Sequence, residues 1–118
     1  MLPQAARLKR SRDFQAVYHR RQSWAGPNLV LYLRQKSPRE GQETRLGFVI
    51  SKKIAKRAHD RNLLKRRLRE ICRLHLLPSA RGGRPFDALF VARTAAPSAD
   101  FARLAAEVDT LARQAGLL

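Results

Sequence analysis

Residues 51–73, SKKIAKRAHDRNLLKRRLREICR, constrain the fold of this chain more than any other stretch. In their second half, apolar side chains recur three or four positions apart, which is the spacing of one face of an amphipathic helix. This stripe consists of Leu64, Leu68, Ile71, Cys72 and His75. Asp60 is the candidate N-cap, because its carboxylate can accept hydrogen bonds from the free amides of a first helical turn. We therefore predict a helix from about residue 61 that fades at Leu77 and Pro78.

The other side of this predicted helix is basic. At about 100° per residue, a set of polar side chains falls on one arc away from the apolar stripe: Asn62, Lys65, Arg66, Arg69 and Arg73. A charge run of mixed sign is usually only a solvated helix face. Residues 51–73, however, hold ten Lys or Arg residues against two acidic ones, and such a face repels itself unless a polyanion neutralises it. The pattern predicts nucleic acid as the partner.

The same residues resemble the signature of the protein subunit of bacterial ribonuclease P. In that family a Lys-Lys pair is followed by an Arg-Asn-Arg-x-x-Lys-Arg run that opens a long helix. Lys52 and Lys53 match the pair, and the run is matched by Arg61, Asn62, Lys65 and Arg66. Leu63 stands where the third residue of the triplet is usually Arg, and Ala55 replaces a common glycine. The resemblance extends over about residues 7–115.

Length and composition set wider limits. A chain of 118 residues with a net charge of +16 and a pI near 11.7 indicates one domain and a nucleic-acid or anionic-surface partner. Together with the resemblance, this predicts a single RNA-binding domain over residues 1–118. Residues 1–10 are a basic lead-in that we expect to be loosely ordered. The single Cys72 lies on the apolar stripe and predicts a packed thiol. No apolar run reaches the roughly 20 residues of a membrane span, so we expect a soluble, cytoplasmic protein without a membrane partner.

Apolar periodicity predicts the remaining elements. A short helix from Ser11, its candidate N-cap, to about Arg21 turns Val17 inward and leaves Phe14 and Tyr18 partly exposed. Strands are predicted at residues 22–25, 29–34, 45–51 and 86–92, with a hairpin loop at 35–44. Ser98 or Asp100 opens a last helix.

This order predicts an α+β fold, an αβββαβα sandwich of one sheet and its helices. The resemblance adds a left-handed βαβ crossover around the basic helix, against the usual right-handed rule.

The chain lacks the residue patterns of a catalyst. His19, His59 and His75 are too scattered for a zinc site, and one cysteine cannot complete one. No nucleophile triad, glycine-rich phosphate loop or close carboxylate pair stands out. We therefore predict a protein that binds and does not catalyse, with no metal ligands, no cofactor of its own and no small-molecule substrate.

The resemblance implies a role in an endoribonuclease ribonucleoprotein. In the family the RNA subunit uses Mg²⁺ to cleave the 5′ leader from precursor tRNA, and the protein binds both RNAs. By position, the residues implied to bind the RNA subunit are Arg57, Arg61, Asn62, Lys65, Arg66, Arg69 and Arg73. Those implied to bind the leader are Phe14, Tyr18, Tyr32, Lys52, Lys53 and Arg93.

Other interpretations of the same residues stay open at this point. Phe14 and Tyr18 are also compatible with aromatics that pack on a sheet, although the resemblance favours partly exposed rings. A ribosomal or other structural RNA-binding protein would share the size, charge and fold class. A helix-turn-helix DNA-binding protein is disfavoured, because a strand and a basic loop precede Asp60 where that motif needs another helix.

Overall fold

The computed structural model describes residues 6–36, 39, 43–80 and 85–118. Its elements in chain order are helix α1 (Ser11–His19), strands β1 (Gln22–Ala25), β2 (Leu29–Gln35) and β3 (Arg45–Val49), helices α2 (Ala58–His75) and α3 (Leu77–Ala80), strand β4 (Phe86–Ala92) and helix α4 (Phe101–Gln114). A 3-10 turn covers Ala96–Ser98. The αβββαβα order and the α+β class are confirmed, with the one-turn helix α3 added after α2.

The four strands form one sheet in the order β1-β2-β4-β3. β2 is antiparallel to both β1 and β4, whereas β3 is parallel to β4. The predicted hairpin at residues 35–44 is therefore wrong, since β4 lies between β2 and β3; part of that loop is outside the described residues. Periodicity shows which face of a strand is apolar but not which strand lies beside it. β3, α2 and β4 form the βαβ crossover, and its left hand stays a prediction of the resemblance.

One face of the sheet carries the main core. The alternation predicted for β2 is confirmed, with Leu29, Leu31 and Leu33 fully buried beneath α2 and α4. The stripe of α2 is buried at Leu64, Leu68, Ile71 and Cys72. Its predicted last member, His75, is exposed instead. α2 ends at that residue, and Leu76 turns into the core in its place.

Two of the three predicted helix starts are wrong. α2 begins at Ala58 after the extended Arg57, so Asp60 lies within the first turn, where its charge suits the helix dipole. α1 begins at Ser11 itself, with Arg10 as the N-cap. Neither N-cap residue makes a side-chain capping bond. At α4 the prediction for Asp100 is confirmed, because its carboxylate accepts from the amide of Arg103 at 2.8 Å.

The opposite face of the sheet is covered by α1. Val17 is fully buried there against Leu8 and Leu89, as its inward direction predicted. The end of the expected loose lead-in is packed instead, since the Leu8 amide donates to the Leu46 carbonyl at 2.8 Å and the Leu8 side chain is buried. Residues 1–5 lie outside the described part. The sheet thus separates α1 from α2 and α4.

Candidate nucleic-acid interface

The aromatic side chains of α1 lie partly in the core and partly in solvent. Phe14 and Tyr18 are half-buried against the small cluster around Val17. Tyr18 meets Tyr32 of β2 edge-on, with ring centroids 4.9 Å apart. Gly47 permits this close approach of α1, because a Cβ there would lie 3.0 Å from Phe14 Cε1 and 2.5 Å from a methyl of Leu89. The predicted partial exposure of Phe14 and Tyr18 is confirmed.

The phenol of Tyr18 is poorly suited to ionise. Burial, with a further contribution from Tyr32, raises the pKa of Tyr18 above its ordinary value. A neutral ring does not repel phosphate and leaves its face available to a nucleobase. The tyrosine pair is thus compatible with a stacking surface for single-stranded RNA.

A row of small apolar side chains crosses the same sheet face beside the tyrosines. The strand registers align Ala25 with Val30, Val30 with Val91, and Val91 with Val49. The three valines are half-buried, so this part of the face stays open to solvent. Sequence analysis missed the row, because each valine only alternates with the buried residues of its own strand. We call Ala25, Val30, Val49 and Val91 the open row.

Basic residues stand beside the open row, past the carboxyl ends of β3 and β4. Lys52 and Lys53 are exposed in the turn that follows β3, and Arg93 is exposed directly after β4. Because β3 and β4 are parallel neighbours, their carboxyl ends meet at one edge of the sheet. The fold therefore places the two lysines and Arg93, which lie forty residues apart in the sequence, at the same end of neighbouring strands. Phe14, Tyr18 and Tyr32 pack together on the sheet face that carries the open row.

The basic face of α2 continues into a groove that the sequence did not predict. Asn62 and Arg66 are exposed, whereas Lys65 and Arg69 are half-buried. These last two line a groove of about 240 Å³ together with Arg7, Leu8, Lys9, Phe14, Leu46, Gly47 and Phe48. Among these described lining residues there are four cations and no carboxylate. Burial, followed by the charges of Arg7 and Arg66, lowers the pKa of Arg69, which marks a site where an anion would be favoured.

Two basic residues implied to bind the RNA subunit have hydrogen-bond partners within the protein. Arg61 donates to the carbonyls of Ala55 and Lys56 at 3.0 and 2.7 Å, which closes the turn before α2. Arg73 is paired with Glu70, and this hydrogen bond lowers the pKa of Glu70 to about 2. Arg57, the N-cap residue of α2, is exposed and its side chain makes no capping bond. The strongest candidates for RNA contact are therefore Arg57, Asn62, Lys65, Arg66 and Arg69.

A buried carboxylate that the sequence did not single out organises the other end of the α1 face. Asp87 of β4 is 1% exposed and accepts from Arg45 at 2.8 and 3.0 Å. Lys36 and Arg34 lie within 3.2 and 3.6 Å of the same carboxylate. Arg45 also reaches Asp13 of α1 at 3.4 Å. This ion cluster ties α1 to the sheet one residue before Phe14.

The Ribonuclease P family model matches residues 2–116. The chain belongs to the ribonuclease P protein family. The chain is 39% identical over its whole length to the ribonuclease P protein component of Synechococcus sp. (strain JA-2-3B'a(2-13)), of which it covers 87%. The corresponding protein of Synechocystis sp. (strain PCC 6803) is 32% identical over 99% of this chain and 90% of its own.

Solved structures of ribonuclease P proteins share the fold. The Staphylococcus aureus RNase P protein superposes with a TM-score of 0.81 at 28% identity, over 95% of this chain and 96% of that one. A mutant of that protein with defective mRNA degradation activity superposes with a TM-score of 0.82. The Thermotoga maritima RNase P protein gives 0.75 at 27% identity, covering 91% and 96%. The chain is thus a protein component of the ribonucleoprotein endoribonuclease that processes tRNA, and association with the RNA of that enzyme follows from the family.

Three further observations concern metal ions, the cysteine and membranes. In residues 6–36, 39, 43–80 and 85–118, no three His, Cys, Asp or Glu side chains are grouped so that they could hold a metal ion. Cys72 is fully buried, and burial raises the pKa of its thiol, so it is a packed side chain. No helix within the same ranges is long and apolar enough to cross a membrane.

Proposed function

We propose that this ribonuclease P protein binds two RNAs on two separate surfaces. The basic face of α2 and the groove beside it bind the catalytic RNA subunit. The face formed by α1, the open row and the basic residues beside it binds the 5′ leader of precursor tRNA, with Phe14, Tyr18, Tyr32, Lys52, Lys53 and Arg93 as its contacts.

The arrangement of the two surfaces about the sheet carries this proposal. α2 packs on the leucine face of β2, whereas Phe14 and Tyr18 pack on the face of Tyr32. The surfaces approach one another only at the edge strand β3, where Phe14 lines the same groove as Lys65 and Arg69. A polyanion on α2 and a single strand on the α1 face therefore share only Phe14 among the residues assigned to the two surfaces.

The two surfaces differ in chemistry, and each of them suits one of the two ligands. A folded RNA presents phosphates, which suit a face of Lys, Arg and Asn side chains. A single-stranded leader presents unpaired bases, which stack on aromatic and apolar side chains without regard to sequence. The open row and the tyrosine pair offer such contacts, and the lysines beside them offer charge to the leader backbone.

The chain contributes to cleavage by binding the catalytic RNA and the substrate leader. In this proposal the RNA subunit holds Mg²⁺ and carries out the cleavage. The enzyme works in the cytoplasm. The cations of the protein reduce repulsion between two large polyanions, and its leader contacts add binding energy outside the cleaved bond. A ribosomal role, which the composition also allowed, has no observation in its favour.

Two α1 variants test the leader surface. Phe14→Ala and Tyr18→Ala should each weaken precursor tRNA binding by about 1–3 kcal/mol per lost stack, or about 5- to 150-fold, in holoenzyme reconstituted with a bacterial ribonuclease P RNA. Mature tRNA, which has no leader, should bind as before. Phe101→Ala is the matched control, because Phe101 is an exposed aromatic on α4, across the sheet from α1.

The half-burial of these rings makes a second outcome possible. If they only pack, their loss should reduce the free energy of unfolding by about 3–5 kcal/mol and weaken both RNAs alike. An unchanged ratio of precursor to mature affinity, together with a lowered melting temperature, would reject the leader surface. Failure of the wild-type protein to restore precursor cleavage at low Mg²⁺ would reject the assignment of both surfaces.

A further inference from the structure

Glu107 occupies an unusual place on the apolar side of α4. It lies between Leu104 and Leu111 along the buried stripe and is itself only 8% exposed. A carboxylate at such a position loses hydration, which is unfavourable unless hydrogen bonds replace the lost water. A leucine would extend the core there with no such requirement. The acid therefore points to a polar task at this site.

The hydrogen bonds of Glu107 lead to the turn between β1 and β2. Its two carboxylate oxygens accept from the backbone amide of Asn28 at 3.0 and 3.2 Å, and one of them also accepts from Asn28 Nδ2 at 2.9 Å. Gly26 makes room for this contact, because a Cβ on that residue would lie 2.7 Å from Glu107 Oε2. Glu107 thus holds the Asn28 end of the Gly26–Pro27–Asn28 turn against α4 by hydrogen bonds, and the Gly26 end lies close beside the same carboxylate.

The same turn holds Arg93. The Arg93 amide donates to the carbonyl of Asn28 at 2.8 Å, and its guanidinium Nη1 donates to the carbonyl of Gly26 at 2.9 Å. Guanidinium carries five N–H donors, so this bond orients the group and leaves other donors for a ligand. Arg93 is exposed and follows directly on the strand that contributes Val91 to the open row.

We propose that Glu107 is a positioning residue for leader binding, which acts by fixing the Gly26–Pro27–Asn28 turn so that the Gly26 carbonyl aims Arg93 at the backbone phosphates of the single-stranded leader. The inference rests on the proposed function, from which the leader is taken as ligand. The gain is preorganisation: an arginine already held in its binding direction loses less side-chain freedom when the RNA arrives.

A double-mutant cycle tests this inference in reconstituted holoenzyme. Glu107→Ala, Arg93→Ala and the double variant are compared by the ratio of precursor to mature tRNA affinity, with thermal unfolding of each protein. Arg93→Ala should lower the ratio by about threefold to tenfold, as for one exposed charged contact. Glu107→Ala should lower the affinity ratio by a smaller factor than Arg93→Ala does. When Arg93 is already replaced by alanine, Glu107→Ala should not lower the ratio further. Glu107→Gln, which keeps an acceptor oxygen, should recover most of the wild-type ratio.

Val108→Ala is the matched control for lost stability. Val108 is the next residue of α4 and is 1% exposed, but its truncation should lower the melting temperature without moving the affinity ratio. A fall in the ratio upon Glu107→Ala that is the same with and without Arg93 would overturn the inference, as would no fall at all. If the ratio depends on Phe14 but not on Arg93, the inference fails while the proposed function stands; if wild-type holoenzyme shows no preference for precursor, the proposed function itself fails.

Discussion

At the residue scale, Asp87 shows how one buried carboxylate can allow a strongly basic chain to fold. Three cations surround it on the α1 face, and Lys36 is as deeply buried as Asp87 itself. Buried Lys is rarely found without a partner, since removing its charge from water is costly. Hydrogen bonding to Asp87 is also the main cause that raises the pKa of Arg45. The carboxylate thus stabilises side chains from two other strands at once.

Asp87→Asn should destabilise the protein strongly. The neutral amide leaves the buried Lys36 without its counter-charge, and the loss of one member of a buried ion pair costs about 3–5 kcal/mol. Urea unfolding measures the effect. Asp109→Asn is the matched control, because Asp109 pairs with Arg113 on the exposed side of α4, where such a pair is worth about 0.3–0.5 kcal/mol. Equal stability losses in the two variants would refute the structural role of Asp87.

At the element scale, α2 has two faces: one packs against the core and the other is the proposed binding face for a polyanion. Four residues of its stripe are buried, while Asn62, Lys65, Arg66 and Arg69 are not. The segment before α1 adds Arg7 and Lys9 to the cationic side, because the bridge of Arg7 to Leu46 places it along β3. The charge of this surface thus comes from two distant parts of the sequence.

Lys65→Gln combined with Arg66→Gln should weaken assembly with ribonuclease P RNA and reduce its salt dependence. Each lost phosphate contact should lower the slope of log affinity against log salt by about 0.7–0.9. Glutamine retains much of the aliphatic packing, so the fold should persist. The control is Arg103→Gln with Arg113→Gln on α4, which removes the same net charge. If both double variants lower the slope equally, the effect comes from total charge and α2 has no special contact.

At the scale of the whole molecule, the cations that give the net charge of +16 form binding surfaces. The described acids are largely engaged: Asp87 and Asp13 with Arg45, Glu70 with Arg73, Asp109 with Arg113 and Glu107 with Asn28. The described residues gather no metal-binding group. The cations are thus placed to bind RNA, and the proposed function assigns cleavage to the RNA subunit.

The protein freed of RNA should therefore not cleave precursor tRNA at any Mg²⁺ concentration. Incubation of labelled precursor with nuclease-treated, repurified protein measures this, with the reconstituted holoenzyme as the positive control. An unstructured RNA without a tRNA fold should be tested beside the precursor. Metal-dependent cleavage that co-elutes with the protein and is lost on a point substitution would contradict the prediction.

The sequence by itself determined the elements and the two faces of each. Periodicity is local, so it predicted the leucine face of β2, the buried stripe of α2 and the inward Val17. Charge density predicted a polyanionic partner, and the resemblance to the ribonuclease P protein family was confirmed. Helix starts were less predictable, because capping depends on backbone angles that a single Asp or Ser does not fix.

Only the tertiary structure decided which elements are neighbours. Strand pairing depends on how layers pack and where a crossover returns, so β4 displaced the expected β2–β3 hairpin and aligned the open row. The same long-range packing buried Leu8, gathered cations around Asp87 and joined Glu107 through Asn28 to Arg93. These contacts link residues 38 to 79 positions apart or lie across sheet layers, where no local pattern in the chain records them.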